Sequence, residues 1–244
     1  MRVCTCVYTC VFYVSIYVEY GLYTMLMDND VYTNSLSSSL SLCVCLGVET
    51  LNTLVKAEDH DLSTVITSSE SQENLHILLN ALQTQFSNFQ PSYQANILLS
   101  LAKLTDLFGE LQLEPLFQDF AEALLKNGGK LSEFQAIELT NIFWSYAKLN
   151  YHHERLFERL SSELLKRDIN SFQPQDISNV LWSFSTLNIR NQNQICEAMA
   201  GVFVKSDLKQ TLFTKQDMAN TIWAFAKLKL TKHKLAFDDF IPPS

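Results

Sequence analysis

Residues 179–187 read NVLWSFSTL, and three other stretches repeat the phrase: NILLSLAKL at 96–104, NIFWSYAKL at 141–149 and NTIWAFAKL at 220–228. Successive copies of the leading Asn lie 45, 38 and 41 residues apart. A phrase that returns at such intervals marks an array of small units, each unable to bury its own apolar face and so obliged to stack on its neighbours. Apolar residues at +1, +2, +5 and +8 from the Asn keep the three- and four-residue steps of a helix.

The agreement extends outward. Phe89, Phe134, Phe172 and Phe213 stand seven residues before each Asn. Glu138, Asp176 and Asp217 stand three before it in the last three copies, where negative charge suits a helix N-terminus; Tyr93 breaks the pattern in the first. Two helices are legible per copy. The first (A) is expected over 91–104, 132–149, 174–187 and 214–229, and the second (B) over 113–127, 152–167 and 191–204. Pro91 and Pro174 suit a first helical turn, and Gly128-Gly129 marks a stop. Leu75, Leu78, Leu79, Leu82 and Phe86 predict one further helix ahead of the first copy. The expected fold is all-α: an α-solenoid of stacked two-helix repeats of about 38–45 residues, preceded by an irregular N-terminal segment.

Three regions follow. Residues 73–240 form the repeat domain, whose last copy is incomplete: its second helix begins near Thr231, and the chain stops at Ser244 after Pro242-Pro243. A truncated chain or a longer natural product is expected, since no capping repeat follows. Residues 51–72 are a polar linker. Residues 1–50 differ in composition. Val3–Val18 is an uncharged apolar run, short for a membrane span, and 34–41 read NSLSSSLS. A secretory signal, a signal anchor and translated non-coding sequence all suit this segment; an Arg-rich transit peptide does not. Five of the six cysteines lie in it, without zinc-knuckle spacing, and Cys196 reads as a small buried hydrophobe.

The net charge of −8 argues against a generally basic nucleic-acid binder, but the charge is divided. Residues 1–129 carry 4 basic and 14 acidic side chains, and residues 130–244 carry 14 and 12. No nucleotide loop, zinc-protease or nucleophile-elbow motif occurs. The His152-His153 pair reads as part of a solvated turn between helices. No enzyme activity, cofactor, metal or small-molecule substrate is expected, nor a membrane association.

Positions 0, +4 and +7 share one helix face and supply the candidate site. They are Asn96, Ser100 and Lys103; Asn141, Ser145 and Lys148; Asn179, Ser183 and Thr186; and Asn220 and Lys227, with Ala224 at the middle position of the fourth copy. Asn amides match base edges and Lys neutralises phosphate, so the rows suit single-stranded RNA. Equally, the Asn row suits a buried ladder between repeats, and the Lys row ordinary solvated surface. The Trp at +3 (Trp144, Trp182, Trp223) is expected in the core; the alternative is a tryptophan that stacks on a base.

The phrase F-x-P-x-D-I-S-N-V-L-W-S-F-S-T-L at 172–187 resembles the first helix of octotricopeptide-type repeats, and the related repeats of FAST-kinase-like and RAP-domain proteins. The resemblance covers about 73–240 and is weakest in the first copy, with Leu99 in place of Trp; no RAP segment follows. It implies an RNA-binding α-solenoid of a mitochondrion or plastid, acting in transcript stability, processing, translation or ribosome assembly. The rival expectation is a protein-binding scaffold, such as a structural subunit of an organelle ribosome, whose acidic half would suit a basic partner.

Overall fold

The computed structural model describes residues 76, 79–103, 105, 113–126, 130–190, 193–205 and 213–230. The expectations for residues 1–72, and for the second helix of the fourth copy, lie outside them. Among the described residues there are helices and no strand: α1 (Pro91–Lys103), α2 (Glu114–Lys126), α3 (Ala136–Lys148), α4 (Glu154–Leu164), α5 (Pro174–Thr186), α6 (Asn193–Lys205) and α7 (Lys215–Leu228). No helix among them is long and apolar enough to cross a membrane. The chain divides into two compact units, Met1–Ala123 and Leu124–Ser244.

In the first unit, residues 79–85 are helical and run into a 3-10 turn at Phe86–Asn88. Phe86 stacks on Phe120 of α2 with ring centroids 4.2 Å apart, and both are buried. The buried Gln94 side chain of α1 donates to the Phe86 carbonyl at 2.7 Å, so the turn's polar backbone is satisfied where water is excluded. Gln83 reaches Asp119 on α2.

The second unit holds copies two to four. The A helices α3, α5 and α7 lie side by side with α5 in the middle; α4 packs on α3, and α6 on α5. This packing is what successive helical hairpins require. Aromatic rings fill the joints. Phe143 of α3 meets Phe157 of α4 at 4.9 Å and Phe184 of α5 at 5.3 Å, and Phe203 of α6 meets Phe225 of α7 at 5.5 Å. Each of these rings is buried.

The repeated residues outside the helices set where each A helix starts. Phe89, Phe134 and Phe172 each close a 3-10 turn, donating N–H to the carbonyls of Phe86, Leu131 and Ile169 respectively, and each is buried. The acids at −3 then cap the helices. Glu138 accepts from the Gln135 N–H at 2.8 Å, Asp176 from Gln173 at 2.9 Å and Asp217 from Thr214 at 3.1 Å. These bonds satisfy orphan donors and place negative charge at the positive helix end. Helix α3 accordingly starts at Ala136 rather than near 132, because the 3-10 turn Lys130–Glu133 occupies the expected first turn.

The ends are equally uniform. Asn150, Asn188 and Lys229 follow α3, α5 and α7 with φ of 54°, 54° and 55°, the left-handed conformation of a helix stop. The next residue's N–H reaches back five positions in each case: Tyr151 to Tyr146, Ile189 to Phe184 and Leu230 to Phe225. Ile189 and Leu230 are buried, and Tyr151 stacks on Tyr146 at 6.0 Å, the apolar contact that accompanies such a stop.

Candidate functional site

Successive residues of a helix are about 100° apart, so packing against a neighbouring helix decides whether +3 or +4 points outward. In the second unit +3 does. Trp144 and Trp182 are half-buried, and Trp223 is 44% exposed. This corrects the expectation of core tryptophans. The residues at +4 turn in instead: Ser145 and Ser183 are fully buried and donate to the carbonyls of Asn141 and Asn179, at 2.7 and 2.6 Å. Ser100 in the first unit is fully buried as well. The serines are therefore corrected from site residues to packing residues. A small side chain at +4, its hydroxyl bonded one turn back, leaves room for a neighbouring helix to approach closely.

The outward strip is thus 0, +3 and +7, rather than 0, +4 and +7. Asn141 and Asn179 are half-buried and meet across the α3–α5 joint, the Asn179 Nδ2 donating to the Asn141 Oδ1 at 3.1 Å. Asn220 accepts from Gln216 Nε2 at 3.0 Å. Beside the amide pair, the rings of Trp144 and Trp182 stack with centroids 5.9 Å apart and 27° between planes. On α7, the Lys227 Nζ sits 4.6 Å from the centroid of the Trp223 ring, a cation–π contact at an exposed site. Lys148 is half-buried at the same end of α3. Thr186 departs from the row: its Oγ1 is buried without a hydrogen-bond partner. In the first unit, Asn96 and Lys103 are exposed and Leu99 is half-buried.

A second joint bond lies deeper. Thr140 Oγ1 on α3 donates to Asp176 Oδ1 on α5 at 3.0 Å, and both residues are buried. Burial raises the Asp176 pKa, against the lowering effect of its bonds to Gln173 and Thr140. His153, expected with His152 in a solvated turn, has a structural role: its Nδ1 accepts from the Leu156 N–H at 3.2 Å and caps α4. His152 lies edge-on to Phe157, and burial lowers its pKa. Among the described residues no three His, Cys, Asp or Glu side chains gather as a metal site needs.

Residues 139–206 match the family model of FAST kinase-like protein, subdomain 1. The matched segment runs from within α3 through α6, so it contains the Asn141–Asn179 bond and the Trp144–Trp182 stack. Over this span the chain is similar to FAST-kinase-like proteins. No curated protein matches the chain.

Proposed function

We propose that this chain is a non-enzymatic helical-repeat protein that binds single-stranded RNA along the outward edge of its A helices. In this reading the two-helix units stack as an α-solenoid of the octotricopeptide type, without cofactor, in a mitochondrion or plastid, and serve transcript stability, processing, translation or ribosome assembly. The observation that carries it is the strip itself: three adjacent helices present the same register outward, amide then indole, with Lys148 and Lys227 at +7 on the outer two. Similarity to FAST-kinase-like proteins over 139–206 supports it, as does the near-neutral charge of residues 130–244 beside the acidic first half.

The experiment is a salt titration of RNA binding followed by anisotropy of a labelled oligonucleotide. Each phosphate contacted steepens the fall in affinity with salt. A Lys148→Ala/Lys227→Ala double variant should bind more weakly and with a shallower salt slope; wild-type affinity and slope in that variant would refute the assignment. The net charge of −10 over residues 1–129 favours the second reading, a scaffold for a basic protein partner. That reading predicts capture of basic peptides by this half and no retention of RNA.

A further inference from the structure

We propose that Trp144, Trp182 and Trp223 are stacking platforms for unpaired bases, and that the strip therefore takes single-stranded nucleic acid with little preference for base. This rests on the RNA-binding reading and gives it a recognition mode. Reading an adenine edge with Asn needs the oxygen and the amide nitrogen of one side chain together. In the second unit one of the two already holds a bond within the protein, which fixes how the amide is turned and halves that atom's capacity: Asn141 Oδ1 and Asn179 Nδ2 bond one another, and Asn220 Oδ1 accepts from Gln216. The serines that would complete a reading triplet are sealed in the core. What remains outward is the row of indoles, with the Lys227 ammonium at Trp223.

The indoles are placed for the task. Trp144 and Trp182 stack on one another, so the pair is held in place, and a base would continue the stack on an outer face, a contact open to any base. Trp223 is the most exposed of the three; the Lys227 ammonium lies over one face of its ring, so a base would stack on the opposite face with a cation close by for its phosphate. The acids closest in the repeat, Glu138, Asp176 and Asp217, are bonded to the backbone at their own helix starts, so they do not put loose carboxylates on the strip. A row of partly exposed indoles with a lysine on each outer helix suits a polyanion with π-faces better than an acidic or apolar peptide.

The chain has three tryptophans and all three belong to this strip, so intrinsic fluorescence reports on it alone. The experiment titrates the full chain with oligo(U), oligo(A) and oligo(C) of about 12 nucleotides, a length within single-strand site sizes, and with the oligo(A)·oligo(U) duplex. Tryptophan emission and the anisotropy of a 5′ label are read together. Every single strand should quench emission, with affinities within about tenfold of one another, the discrimination of a single base contact, and the duplex should not quench. Trp223→Ala should weaken binding roughly 5- to 150-fold, the worth of one stacked base, and Trp223→Phe should recover most of it, a rescue that a loss of charge or fold would not show. Anisotropy without quenching, with Trp223→Ala binding as wild type, would overturn the stacking while leaving RNA binding intact. A preference for one base beyond about a hundredfold, the upper range of a bidentate contact, would overturn the tolerance alone. Absence of any anisotropy change would overturn the RNA reading itself, and the stacking with it.

Discussion

One repeat position should carry two very different costs. Leu181 and Ile222 occupy the same place, +2, on adjacent A helices, yet Leu181 is fully buried and Ile222 is 36% exposed. The difference extends along the face: Ser178 and Ser185 of α5 are buried, whereas Ala219 and Ala226 of α7 are exposed. Leu181→Ala would open a cavity in a filled joint, a change that costs about 2–5 kcal/mol. Ile222→Ala removes a similar volume from a face open to water. No closed cavity forms, and a side chain whose full burial is worth about 1.5–3 kcal/mol should lose about 1 kcal/mol. The two variants should therefore differ by about 1–4 kcal/mol. Urea unfolding of the full chain, followed by tryptophan emission, isolates the comparison, because residues 144, 182 and 223 all lie in the second unit. With a slope of about 1–3 kcal/mol per molar urea, a cost of 3 kcal/mol moves the midpoint by about 1–3 M. Equal midpoints for the two variants, or a larger shift for Ile222→Ala, would refute the assignment of the buried joint.

Three further outcomes follow from the structure. Lys229 holds a left-handed φ of 55° without the freedom of glycine, so Lys229→Gly should stabilise by about 1 kcal/mol, and Asn188→Gly by less, since Asn tolerates that region; thermal melts check the order. The Asp176 pKa is raised above its ordinary 3.8, so its stabilising contribution is complete only below that value and is lost as pH rises through the raised one. Asp176→Asn, whose one oxygen accepts from the Gln173 N–H while its amide nitrogen donates to Thr140 Oγ1, which turns its own proton to the Ile137 carbonyl, should thus match or exceed wild type at pH 7 and lose that advantage near pH 3.5; a loss above about 1 kcal/mol at neutral pH would contradict this. Cys196 is buried, and its thiol is pushed up to about 12, so its peptide should escape alkylation at pH 8 in the native chain and react once urea unfolds it, as mass mapping would show.

The sequence made the helices legible because the markers of their ends repeat. Phe at −7 and the acid at −3 bracket each start, and the observed A helices fall within a few residues of the expected spans. The site was less legible for a geometric reason. Positions 0, +3, +4 and +7 lie within roughly 100° of arc on one helix, so spacing alone cannot say whether Trp144 or Ser145 looks outward. The neighbouring helix decides, and it favours a small buried hydroxyl over a large ring. That tryptophan is seldom fully buried was the available hint. His153 carried no comparable sign, since a histidine acting as a helix cap differs from a solvated one only by the loop conformation ahead of α4. The stop after each A helix was written in the sequence as Asn150 and Asn188, but Lys229 in the third instance hid the pattern.

Every A helix of the second unit begins five residues before its Asn and ends at +7 or +8, although the intervals between copies are 38 and 41 residues. Turn, cap and left-handed stop together fix the gauge of these helices, so extra chain falls between them: α6 has 13 residues where α4 has 11. The pitch of the indole strip is then set by how closely two helices can lie, about 8–10 Å. Insertions can therefore accumulate between successive A helices while the indole strip keeps step.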